Sequence, residues 1–188
     1  MAARSGITYS AADLPYTAVT SEEFLDGSLT AEIKKRIKAV IQEEAPVCEW
    51  LLIKRVINSF GIYKAGARIK PEMEAILSMM KLNVQTDKTG RVYWKSTQSP
   101  EKYSGFRLFG DYDLTCRDVQ YVPDAEIANA AAYICAGKTL SYDDLARQTA
   151  ALLGYTRMGS NVVQGMKRGI AYAVKTKRIS SKSGKYIG

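Results

Sequence analysis

The chain has 188 residues and a formal net charge of +8, from 27 Lys+Arg against 19 Asp+Glu, and it contains no histidine. The missing imidazole excludes Ser–His and Cys–His catalysis and His-ligated metals. The scattered Cys48, Cys116 and Cys135, with no C-x-x-C pair, supply neither a zinc site nor a disulfide framework. No apolar run nears the roughly 20 residues that span a bilayer. Met1–Gly6 lacks the apolar stretch of a signal peptide, and no phosphate-loop motif occurs. With an odd number of cysteines, these absences predict a cytoplasmic protein without membrane, cofactor or metal.

Residues 1–28 read as an N-terminal extension. From Thr30 to Glu44, helical spacing joins Ile33, Ile37, Val40 and Ile41, and Pro46 stops the helix. A second helix, Glu49–Phe60, places Leu52, Ile53, Val56 and Ile57 on one side and ends at Gly61. A third, about Arg68 to Lys81, turns Ile69, Met73, Ile76, Leu77 and Met80 inward. Val84–Thr86 and Val92–Trp94 flank Asp87-Lys88-Thr89-Gly90 as a hairpin, and Trp50 and Trp94 are expected in the core or in packing between domains. Residues 29–95 therefore form one unit, and the turn-rich stretch that starts at Ser96 opens a linker over 96–123. Within it, Phe106–Phe109 and Val119–Val122 are strand candidates.

The same order then returns over 124–188. Asp124–Ala136 is helical, with Ile127, Ala131 and Ile134 on one face. Ser141-Tyr142-Asp143-Asp144 resembles a capping box that opens a helix with Leu145, Thr149, Leu152 and Leu153 inward, closed by Gly154. Ser160 to about Lys177 is a third helix, and Arg178–Ser181 with Lys185–Ile187 flank a second hairpin turn. Gly61–Ile69 lines up with Gly154–Val162, and the hairpin glycines Gly90 and Gly184 follow at matched spacing. The expected fold is mostly α with small β-hairpins (α+β): two tandem winged-helix repeats joined by a linker with short strands.

Charge separates the repeats. Asp144 is the last acidic residue, and from Leu145 to Gly188 the charge is +9, so the preceding 144 residues carry −1. Such asymmetry points to a polyanion. In helix-turn-helix proteins the later helix enters the major groove. At about 100° per residue, Asn161, Gln164, Arg168, Tyr172 and Lys175 fall in one polar stripe, with Val163, Met166, Ile170 and Val174 opposite. Asn and Gln pair with adenine and Arg with guanine. The expected DNA-binding set is Arg157, Ser160, Asn161, Gln164, Lys167, Arg168, Lys175, Lys182 and Lys185. Tyr155 and Tyr172 are expected as core or rim aromatics. The outward face of the first repeat holds Ala67, Pro71, Glu74, Ser78 and Lys81, which leaves Lys64, Arg68 and Lys70 as auxiliary phosphate contacts at most.

Phe106-Arg107, Arg117-Asp118-Val119, Val122 through Ala130, Leu145-Ala146-Arg147, Leu153 through Gly159 and Ile170 together are similar to a domain of unknown function at the C-terminus of large bacterial superfamily I helicase-like proteins. Glu43 through Val47, Ile53 through Val56 and Phe60-Gly61 resemble the segment that precedes it there. Ser160-Asn161-Val162 departs from the basic residue that often stands before an Ile at that helix start. The resemblance implies a C-terminal piece of a longer protein, with upstream helicase-like domains as partners, and brings no catalytic residue.

The leading expectation is a non-catalytic module that binds nucleic acid, chiefly duplex DNA. The alternative is a protein-interaction or oligomerisation module, a possible homodimer, working through the first repeat and the Phe106–Val122 insert. A third reading, a metal-dependent nuclease on Asp111, Asp113, Asp118 and Glu126, ranks below a solvated acidic turn.

Overall fold

The computed structural model describes residues 6–188. The first five residues of the expected N-terminal extension, and of the Met1–Gly6 segment read for a signal peptide, lie outside the described residues. In chain order the elements are β1 (Ile7–Thr8), α1 (Ser21–Leu25), α2 (Thr30–Glu44), β2 (Val47–Cys48), α3 (Glu49–Ser59), α4 (Ile69–Met79), β3 (Asn83–Asp87), β4 (Gly90–Trp94), β5 (Arg107–Leu108), α5 (Asp124–Cys135), β6 (Thr139–Ser141), α6 (Tyr142–Leu152), α7 (Ser160–Lys175), β7 (Ser180–Lys182) and β8 (Lys185–Ile187). The fold is mixed α+β with small sheets. No helix among the described residues is long and apolar enough to cross a membrane. The chain divides into two compact units: an N-terminal one of residues 11–86 and 90–97, and a C-terminal one of residues 6–10, 87–89 and 98–188.

In the N-terminal unit, Ile33, Ile37 and Val40 of α2, Leu52 and Val56 of α3, and Met73 and Ile76 of α4 are buried at the positions their helical spacing assigns. Part of the expected extension belongs to this core: α1 opens with a reciprocal capping box between Thr20 and Glu23, and its Phe24 packs edge-on against Phe60. Gly61 follows α3 at φ +76°, a left-handed position that glycine adopts without strain. Trp94 is buried as expected, whereas Trp50 is 42 % exposed and packs at the surface beneath Lys70.

The sheet of this unit has the order β2-β4-β3, with Val47 opposite Tyr93. The C-terminal unit has the order β6-β8-β7, with Leu140 opposite Tyr186 and Lys182 opposite Lys185. From α2 and from α5 onward, the two units share the order helix, strand, helix, helix, hairpin. The short strands after α2 and α5 are new: β2 and β6 have two and three residues, too few for a period-two pattern. The end of α6 repeats the end of α3. Gly154 stands at φ +92°, and the Tyr155 N–H donates to Ala150 as the Ile62 N–H does to Ile57.

Of residues 96–123, expected as a linker, 98–123 are folded into the C-terminal unit. The strand candidate Phe106–Phe109 contracts to β5, which pairs in parallel with β1. The candidate Val119–Val122 is not a strand. Val119–Tyr121 is a 3-10 turn, capped by the Asp118 carboxylate accepting from the Gln120 N–H. The apolar signal there was one of burial: Val119 and Val122 both lie in the core.

An ionic cluster locks this segment down. Glu126 of α5 is fully buried and accepts from Arg107 Nε at 3.0 Å and from Arg117 Nη1 at 2.7 Å. The guanidinium of Arg117 lies 4.2 Å from the ring centre of Tyr9. Burial alone would raise the Glu126 pKa, but the two guanidiniums outweigh it and hold the carboxyl at about 2.

Candidate nucleic-acid interface

Helix α7 carries most of the expected interface, and its orientation follows from two glycines. Gly165 and Gly169 are buried, four residues apart. A Cβ on Gly165 would come within 2.3 Å of Val119 Cγ2, and one on Gly169 within 2.2 Å of Ile127 Cγ2. Bare backbone therefore lies against α5 and the turn before it. With Met166, Ile170 and Ala173, these glycines define the inward face. The centre of that face sits about 70° from the one expected on the apolar residues alone.

This rotation resorts the expected residues. Ser160, Asn161, Gln164, Lys167 and Lys175 remain exposed. Val163, expected inward, is 40 % exposed and stands beside Lys167 and Gln164. Arg168, expected as a base reader on the outward stripe, is turned the other way. Its guanidinium is paired with the buried Asp124 carboxylate and donates to the carbonyls of Val119 at 2.6 Å and Val122 at 2.7 Å. It therefore ties α7 to the start of α5, and with its side chain only 12 % exposed it is withdrawn from the outward stripe. Tyr172 is half-buried under Arg178. Tyr155 packs edge-on against Phe109, and its hydroxyl donates to the Arg117 carbonyl at 2.9 Å.

The remaining charges divide in the same way. Arg178 donates to the carbonyls of Ala125 and Pro100 at 3.0 and 2.7 Å, and burial pulls its pKa below the ordinary guanidinium value. Arg147 pairs with Asp144 on the surface of α6. Arg157, Lys167, Lys175, Lys177, Lys182 and Lys185 are exposed and form no ion pair among the described residues. Lys182 and Lys185 face each other across the hairpin, whose turn holds Ser183 at φ +51° and Gly184 at φ +74°. Lys177, absent from the expected set, is an exposed cation just past the end of α7, at φ +57°. The structure thus keeps eight of the nine expected residues exposed on one unit and withdraws Arg168.

The auxiliary residues in the N-terminal unit behave differently. Arg68 is 4.0 Å from Glu22 and Lys70 is 3.6 Å from Glu74, so two of the three cations have an acidic neighbour, while Lys64 is exposed. The acidic residues read as a conceivable nuclease cluster do not converge: Glu126 is consumed by two arginines. Among the described residues no three Asp, Glu or Cys side chains are placed to hold a metal ion.

Residues 22–71 match the model of a family described as a protein of unknown function (DUF3320). This is about a quarter of the chain, from α1 to the first turn of α4. It contains the Glu43–Val47, Ile53–Val56 and Phe60-Gly61 segments on which part of the resemblance rests, but not the stretch from Phe106 to Ile170. No curated protein and no solved structure matches the chain.

Proposed function

We propose that this chain is a non-catalytic DNA-binding module of two winged-helix repeats, in which the C-terminal repeat grips duplex DNA with α7 and the β7–β8 hairpin. The single observation that carries the reading is the run of six exposed cations on α7, its flanks and the hairpin, with no ion-pair partner among the described residues and in a segment with no acidic residue. The order helix, strand, helix, helix, hairpin, present in both units, supports the winged-helix assignment. Phosphate contacts would supply most of the affinity. Ser160, Asn161 and Gln164, in the first turns of α7, are placed where recognition helices meet base edges. Arg168 and Arg178 hold α7 in place and leave DNA contact to the lysines and Arg157.

The resemblance to helicase-like proteins extends this to a module that keeps a motor on its substrate in the cytoplasm. Three free thiols suit that compartment. A second reading, protein interaction or self-association, draws on the N-terminal unit, where Tyr63 and Met79 are 69 % and 64 % exposed.

The deciding variant is Lys167→Glu with Lys175→Glu. Duplex affinity measured by fluorescence anisotropy at about 100 mM salt should fall at least roughly tenfold, with an unchanged melting temperature. Unchanged affinity would refute the interface. A concentration-dependent dimer in light scattering without duplex binding would favour the second reading.

A further inference from the structure

An apolar break interrupts the basic face of α7. Val163 and Met158 are 40 % and 41 % exposed, although Val163 lies between Ser160 and Lys167 on the same side of the helix. Together with Tyr142 and Ala146 of α6 they line a shallow pocket of about 230 Å³ at the mouth of the helix-turn-helix step. Its other lining groups are Asp143 and Arg147. The Asp143 carboxylate repels phosphate, and Arg147 is engaged by Asp144 at 2.8 Å. An anionic backbone therefore does not belong in the pocket, while the free cations Lys167 and Arg157 nearby in sequence draw DNA to its rim. A group that fits is uncharged, apolar and carried by DNA. In the major groove, the thymine C5-methyl alone among base substituents meets that description.

We propose that Val163 and Met158 receive thymine methyl groups and that Gln164, adjacent on the same helix, takes adenine, so the module prefers A·T pairs. This inference rests on the DNA-binding reading and adds a base preference to it. Phosphate contacts are blind to sequence; the apolar break is what would discriminate.

The test compares poly(dA–dT) with poly(dA–dU), which differ by that methyl, using the full chain. Wild type should bind the thymine polymer about fourfold more tightly per engaged methyl, and Val163→Ala should lose most of that ratio while keeping its affinity for the uracil polymer. Equal affinity of wild type for both polymers, or a Val163→Ala protein that keeps the ratio, would overturn the inference and leave the DNA-binding reading standing. No binding to either polymer at low salt would overturn both.

Discussion

Glu126 sits at zero exposure between two arginines, so its titration is coupled to folding. In the fold it stays ionised down to about pH 2, whereas an unfolded glutamate protonates near 4.3. Its contribution is therefore complete above the unfolded value and fades as pH falls from about 5 to about 2. The melting temperature should drop through that window, and Glu126→Gln should flatten the drop. At neutral pH that substitution strands two buried guanidiniums, at a cost of about 3–5 kcal/mol read from urea unfolding. Arg168 makes the parallel case on α7. Arg168→Ala should unfold more readily by about 2–4 kcal/mol, because Asp124 and two carbonyls lose their donor. A loss of DNA binding in an Arg168 variant would thus report folding, unlike the same loss in a Lys167 variant. Neither role was legible in sequence. An arginine at the edge of a helical stripe is the same letter whether it faces solvent or a carboxylate 44 positions away.

Each long helix was visible from its apolar spacing, and α2 has the expected limits. The error lay in the phase of α7. Gly165 and Gly169 carry no side chain and so no hydropathy signal, yet they form one side of the buried face and shift its centre. Gly169→Ala makes this measurable. Helix propensity favours alanine by about 1 kcal/mol, but the new methyl would meet Ile127 and cost about 1–3 kcal/mol in urea unfolding. At the exposed Ala171, the reverse change to glycine should cost only about 1 kcal/mol. The strands β2 and β6 were hidden because a two- or three-residue strand is specified by its partner across the sheet, not by its own pattern. The turn at Val119–Tyr121 reads as a strand in sequence because burial on a short apolar run looks alike in both.

Across the whole molecule, the charge asymmetry of the sequence survives in altered form. Nine cations follow the last acidic residue, but three are spent within the protein: Arg147 on Asp144, Arg168 on Asp124, and Arg178 on backbone carbonyls. The six that remain are the electrostatic footprint on which the proposed function stands, and their number sets a quantity. If five or six phosphates are neutralised, log K for duplex binding should fall against log salt with a slope of about −4.5 to −5.4. Lys167→Glu with Lys175→Glu should flatten that slope by about 2. The most direct measurement is this salt titration of duplex binding by the intact chain. A slope of about −4.5 to −5.4 is the predicted result, and a slope shallower than about −2, or no duplex binding at low salt, would contradict the account.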